Sequence, residues 1–279
     1  MLGEQPDGTL KVEKTEKPQL HTTSINMQCG EAFRRRYIEN EIIPPGVAAL
    51  VGTATDKAVT RNLQNKLDTK SLLSLEEVSD TARDGLNQAW EQGVKLDPEE
   101  MVAGIKKVKG DATDKAVRLS CLHAKVKAPS INPTRLQRKW LLEMPGYPMD
   151  LVGAIDIQEA NTIRDTKTTG KTPSDDIADK SLQLTAYSLA VTKIDGIAPE
   201  KVMLDYLIDN KTPVAKTFES VRGPEDYQKF LNRVEAIIIA IEKGIFLPVS
   251  PDHWICNSKW CGYASSCKFF TGKIKQFAI

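Results

Sequence analysis

No stretch of this chain approaches the roughly 18 consecutive apolar residues of a membrane span. The polar start, Met1 to Pro18, also lacks the apolar centre of a secretory signal. Both absences point to a soluble, cytoplasmic protein with no membrane partner. An excess of one charge is missing too. With 38 Lys and Arg against 37 Asp and Glu, affinity for a polyanion must come from a local basic face, not from a global field. There is no Gly-x4-Gly-Lys-(Ser/Thr) loop, so ATP-driven work would need a partner. Internal repeats and low-complexity tracts are absent. Cysteine is sparse but not scattered: of Cys29, Cys121, Cys256, Cys261 and Cys267, three crowd the C-terminus. In a reducing compartment, clustered cysteines are more often metal ligands than disulfides.

What is present is a change of texture along 279 residues, enough to bury a sizeable core. Residues 1–22, rich in Glu, Lys, Pro and Gly, read as a flexible N-terminal arm, and residues 23–279 as a single domain. From Thr23, with Ser24 or Asn26 as cap, Cys29, Phe33 and Tyr37 recur on one helical face, and Arg34, Arg35 and Arg36 cover its flanks. Pro44-Pro45-Gly46 ends that helix. Val47 to Leu67 forms a second one, with Asp56 in its middle. Ser74-x-x-Glu77 is a capping box opening a helix that runs to near Gly93, and Glu99 to Ala124 forms another. Residues 68–130 thus read as a helical insert.

From Thr134 the period changes to two: Leu136, Arg138, Trp140 and Leu142 alternate as a strand. A hairpin follows, then a helix from Asp176 to about Thr192. Strands at Lys201–Ile208 and Pro213–Ser220 precede a helix opened by Pro224, and a cysteine-bearing tail spans 246–279. The order describes an α/β fold with a mixed central β-sheet flanked by helices.

The hairpin carries the chemistry. Two alternating runs, Leu151 to Gln158 and Thr162 to Thr168, flank a turn-tolerant Glu159-Ala-Asn161. If Ala160 and Asn161 form the loop, Glu159 pairs with Thr162. Asp156 then stands opposite Asp165 on one face, with Lys167 sharing it. Carboxylates opposed across a ladder repel, at about 0.2–1 kcal/mol. A hard divalent cation such as Mg2+ or Mn2+ relieves that repulsion, and an ammonium beside it can orient a water. Gln183 and Tyr187, four apart, share a face of the following helix.

Gly153-x-x-Asp156, then Asp165-Thr-Lys167, then Gln183-x-x-x-Tyr187 resembles the RecB-like branch of the PD-(D/E)XK nuclease superfamily, with its restriction-endonuclease-like core. The resemblance covers roughly residues 23–67 and 134–270. It implies that Asp156 and Asp165 bind catalytic Mg2+ or Mn2+, that Lys167 assists the nucleophilic water, and that Gln183 and Tyr187 line the DNA channel. A further metal ligand, commonly His in a Gly-x-x-x-His context, falls here on Asp56 of Gly52-Thr-Ala-Thr-Asp56. The members of the iron–sulfur type carry one early cysteine and three late ones, which implies a four-iron four-sulfur cluster on Cys29, Cys256, Cys261 and Cys267. Four cysteines would equally hold Zn2+, although the usual Cys-x2-Cys knuckle is absent.

The implied activity is metal-dependent DNA exonuclease action in phage or bacterial recombination or repair. The DNA would be single-stranded or free-ended, and a helicase, recombinase or annealing protein is an expected partner. Two alternatives stay open: a DNA-binding or assembly subunit without turnover, which Asp at position 56 keeps alive, and a restriction-like endonuclease.

Overall fold

In the computed structural model, which describes residues 17–272, six strands build one mixed sheet. They are β1 (Gln19–His21), β2 (Arg135–Leu142), β3 (Asp150–Gln158), β4 (Thr162–Thr169), β5 (Lys201–Ile208) and β6 (Val214–Ser220). Eight helices accompany them among the described residues: α1 (Thr22–Ile25), α2 (Gly30–Phe33), α3 (Val47–Thr69), α4 (Leu75–Glu91), α5 (Pro98–Ala103), α6 (Ile105–Val126), α7 (Leu182–Asp195) and α8 (Pro224–Glu242). Most of the arm, and residues 273–279 of the tail, lie outside the described residues. Gln19–His21, expected in the arm, form β1 instead.

The organising feature is the edge of β3. On one side β2 runs antiparallel along nearly all of it, from Arg135 opposite Gln158 to Leu142 opposite Leu151. On the other side two strands share the edge. β4 pairs with β3 only at Ile157–Arg164 and Gln158–Ile163, next to the turn, and then parts from it. β1 runs parallel beside Asp150–Val152 and occupies the far end of the gap. The sheet therefore forks immediately beyond the hairpin. β4 continues parallel to β5 through the α7 crossover, and β5 turns back antiparallel into β6.

Helices cover both faces. On one, Leu184, Tyr187 and Leu189 of α7 and Phe230, Val234 and Ile238 of α8 bury against Trp140, Leu151, Ile155, Ile163 and Leu204. Each such side chain contributes about 1.5–3 kcal/mol of burial. On the other face α3 lies over the sheet, and α4 and α6 pack on α3. The insert is thus part of the core: α6 also touches β5 and β6. Capping boxes at Ser74/Glu77 and Asp97/Glu100 open α4 and α5. The helix expected over Glu99–Ala124 is two, broken at Gly104, whose φ of 89° no helix accommodates.

Two other expectations shift for physical reasons. The N-terminal helix is fragmentary: Cys29 is extended (φ −103°, ψ 115°), and α2 runs into a single π-helical turn, Arg34–Ile38. Arg35 is not a flank residue. It is buried, with Nε 2.6 Å from Glu41, a 2.7 Å hydrogen bond to Ser266, and its guanidinium 4.6 Å from the Tyr263 ring. The helix expected from Asp176 starts only at Leu182, with Ser181 as cap. Turns precede it, with Ser181 donating its N–H to Ala178 O at 3.2 Å, and the Arg222 guanidinium ties that segment down through the carbonyls of Ala178 (2.5 Å), Asp179 (3.2 Å) and Ser181 (3.4 Å).

Candidate active site at the fork of the sheet

The turn fixes the register. Glu159 donates its N–H to Thr162 O at 2.8 Å, and Arg164 holds the Glu159 carboxylate at 2.6 Å. Counting on from the paired Ile157–Arg164, Asp156 faces Asp165 at the first position where the ladder has opened. The alternation of β2 and β3 also slips there. Ile155 packs in the α7–α8 core, yet Ile157 packs against Val59 and Leu63 of α3. Gln137, opposite Asp156 by register, has a left-handed φ of 47°. A non-glycine residue in that conformation is strained by about 1–3 kcal/mol and persists only where its surroundings enforce it. Here its amide reaches Thr60 Oγ1 at 3.2 Å and both Asp56 oxygens at 3.5 Å.

Asp165 is fully buried (0 % exposed), and neither of its oxygens has a well-angled hydrogen-bond donor. Lys167 Nζ lies 2.6 Å from Oδ2 in ion contact. The same ammonium donates to Gln183 Oε1 at 2.9 Å, and Gln183 Nε2 donates to the Tyr187 hydroxyl at 2.6 Å. Four residues from one strand and one helix thus form one continuous chain of polar contacts.

Around it the carboxylates outnumber the ammonium. Burial, the close approach of Asp165, and the charges of Asp165 and Asp56 hold Asp156 well above the usual carboxylate range. Burial and the Asp165 charge push Asp56 to about 6. Burial works against the Lys167 ammonium, but Asp165 and Asp156 outweigh it and raise its pKa. Tyr187 is pushed up by burial and both acids, so its hydroxyl stays protonated.

A buried carboxylate that shares a single ammonium with two more acids is what an oxygen-ligated divalent cation would satisfy. The three acids are gathered rather than closed: among the described residues no three His, Cys, Asp or Glu side chains have metal-ligand spacing. A cleft of about 560 Å3 opens onto Asp156, Gln183 and Tyr187, walled by Gln19, His21, Thr22, Thr23, Lys139 and Trp140.

A model of the PD-(D/E)XK nuclease superfamily matches residues 25–268. The chain belongs to that superfamily. No curated protein matches significantly. Among solved structures, a protein from Eubacterium rectale described as "Putative exonuclease" is 16% identical, with 88% of this chain and 87% of that one covered at a TM-score of 0.46. A second, designated SSO0001, is 14% identical, with 85% and 94% covered at 0.37.

In this PD-(D/E)XK chain four cysteines gather around one cavity, without metal-ligand spacing among the described residues. Cys29, Cys256, Cys261 and Cys267 line one cavity of about 170 Å3, none is in a disulfide, and Cys121 lies apart, against Ser79. Burial and then the neighbouring thiols push Cys256 up, and burial does the same for Cys261. The backbone holds the cavity together independently. Gly30 donates its N–H to Leu247 O at 2.8 Å, and a Cβ on Gly30 would meet that carbonyl at 2.5 Å.

Sequence reasoning missed Gln137, Lys139 and His21. Nothing in an alternating strand marks a left-handed residue, and β1 is too short to show a period.

Proposed function

We propose that the chain is a metal-dependent deoxyribonuclease that hydrolyses phosphodiester bonds at DNA ends. One observation carries this reading: the Asp165–Lys167–Gln183–Tyr187 chain set at the fork, with the buried Asp165 carboxylate answered by the Lys167 ammonium and Asp156 across from it. Asp156 and Asp165, with Asp56 beside them, would hold Mg2+ or Mn2+. When bound, the cation supplies an acidified water and neutralises charge on the scissile phosphate. The protein's own groups do the positioning. Gln183, fixed by Tyr187, accepts directly from Lys167 so that the ammonium stays at Asp165 and can orient the attacking water.

Four thiols around one cavity are the donor type of a four-iron four-sulfur cluster, with Zn2+ the alternative. Cys29 from the early helices and three cysteines from the tail would be joined through it, adding to the Gly30–Leu247 clamp. Recombination or repair in a bacterium or phage is the setting we assign, with a helicase, recombinase or annealing protein supplying any unwinding. No helix among the described residues is long and apolar enough to cross a membrane.

Labelled linear DNA incubated with Mn2+ tests the activity: the wild type shortens it from the ends, and Lys167→Ala abolishes cleavage while keeping a cooperative melt and the wild-type circular dichroism. Cleavage by Lys167→Ala at the wild-type rate overturns the assignment. Digestion of closed circular DNA would favour the endonuclease alternative, and binding without cleavage the assembly subunit. For the cysteines, anaerobically purified protein should be brown, with iron bound. A colourless protein carrying zinc replaces the cluster with the Zn2+ site.

A further inference from the structure

On the face of the sheet turned away from α7 lies a second group of charges. Arg164 and Asp205 alternate with Asp165 and Leu204 along β4 and β5, and Leu204 belongs to the α7–α8 core, so the pair faces the α6 side. Arg164 is the last residue of β4 to pair with β3. Its guanidinium reaches both ways from there: Nε donates to Glu159 Oε2 at 2.6 Å, and Nη1 donates to Asp205 Oδ2 at 3.0 Å. Glu159, directly after β3, also accepts the Asn132 N–H on Oε1 at 2.7 Å. Asp205 is fully buried and accepts the Thr217 hydroxyl on Oδ1, with Lys127 Nζ, at the end of α6, 3.6 Å away. Both carboxylates are thus met on both oxygens, and two acids face two cations. A satisfied network of this kind is stiff. The other face of β4 is its opposite, three acids around one ammonium.

Stiffness matters here because backbone pairing leaves β3 loosely joined. β4 is paired with β5 from Thr162 to Thr169, so those two strands move together. β3 meets β4 only at Ile157–Arg164 and Gln158–Ile163, and Asp156 is the next residue out. We propose that the Glu159–Arg164–Asp205 brace locks the pivot of the fork, so that contacts on the back of the sheet set the separation of Asp156 and Asp165 on the front and, through it, the affinity for a divalent cation. The assignment rests on the nuclease reading of the fork and adds to it the groups that shape the metal site without holding the metal. Metal–ligand distances tolerate only about 0.2 Å. A pivot left loose would spread the two acids over separations most of which hold no ion. Glu159, Arg164 and Asp205 are positioning residues: they act through the strands they tie.

Mn2+ uptake by the full chain, read without DNA from the electron paramagnetic resonance of the free ion, tests this. Arg164→Met alone should lose both stability and affinity. Arg164→Met combined with Asp205→Leu removes both charges, and exchange of a buried ion pair for apolar groups of similar size is often neutral for stability. The double variant should therefore melt near the wild type yet bind Mn2+ about tenfold more weakly, the low end of what partners outside the ligands supply. Glu159→Gln, a loss of charge without change of shape at a half-buried position, should weaken uptake severalfold with little effect on the melt, and it decides alone should the double variant not fold. In cleavage assays the Mn2+ needed for half the maximal rate should rise with the loss of affinity, while the rate at saturating Mn2+ stays near that of the wild type. Mn2+ affinity that returns together with the melt in the double variant, or that is unchanged in Glu159→Gln, makes the brace an ordinary structural ion pair and overturns the proposal, with the nuclease reading untouched. A wild type that takes up no Mn2+ overturns the metal reading of the fork, and the brace with it.

Discussion

Asp56→Asn should make the protein more stable while removing its cleavage activity. The Asp56 carboxyl titrates near 6 in the fold against an ordinary 3.8, through burial first and the Asp165 charge second. An acid with a raised pKa contributes stability in its protonated form: that contribution is complete below 3.8 and is lost as pH rises through about 6. At pH 7.5 the folded protein carries an ionised Asp56 at a cost of about 3 kcal/mol, taking 1.36 kcal/mol per tenfold change. Asn keeps the shape and still accepts from Gln137, so the substitution should recover about 2–3 kcal/mol, equivalent to roughly 4–12 °C in Tm for a chain of this size.

Paired urea melts in EDTA at pH 7.5 and pH 4 measure this. The gain should be present at pH 7.5 and nearly gone at pH 4. Adding Mn2+ at pH 7.5 should stabilise the wild type more than the variant and so narrow the gap. An Asp56→Asn protein that unfolds at the same or a lower urea concentration than the wild type at pH 7.5 refutes the electrostatic account of the fork.

His123 is fully buried with neither ring nitrogen hydrogen-bonded, and burial, aided by the Lys127 and Arg164 charges and opposed by Asp205, lowers its pKa to about 4. Its stability contribution is present above 6.5 and lost as pH falls toward 4, so between pH 7 and 4 the wild type should lose about 3 kcal/mol that His123→Leu does not, read by denaturant melts. Gly153→Ala drives a methyl to within 2.6 Å of Trp140 and 2.9 Å of Thr22. It should cost about 1–3 kcal/mol by thermal melt and shift the Trp fluorescence, and an unchanged melt would mean that β2 and β3 have slack.

Much of the fold was legible because its elements are patterned and capped. The alternation around Trp140, the Ser74 box and the apolar stripe of α8 each name their own element. The fork pairing was legible from a two-residue loop alone, since loop length sets register. Tertiary contacts decided the rest. The start of α7 depends on where Arg222 sends its guanidinium, 40 residues later, and the break in the N-terminal helix depends on a tail that folds back to Gly30. Lys139 and His21 come together only because β1 and β2 flank the same strand, which no local pattern records.

The Arg222 anchor reaches further than a loop tether. It also donates to Thr185 Oγ1 at 2.8 Å inside α7, so it sets where along its axis, and at what rotation, that helix begins. A slip of one residue would turn Gln183 by about 100° and carry it about 1.5 Å along the axis, out of reach of the ammonium it steadies. Inactivating substitutions should therefore turn up on the far side of the β5–β6 hairpin, in a residue that never meets DNA, and a screen for lost cleavage would score that arginine beside the aspartates.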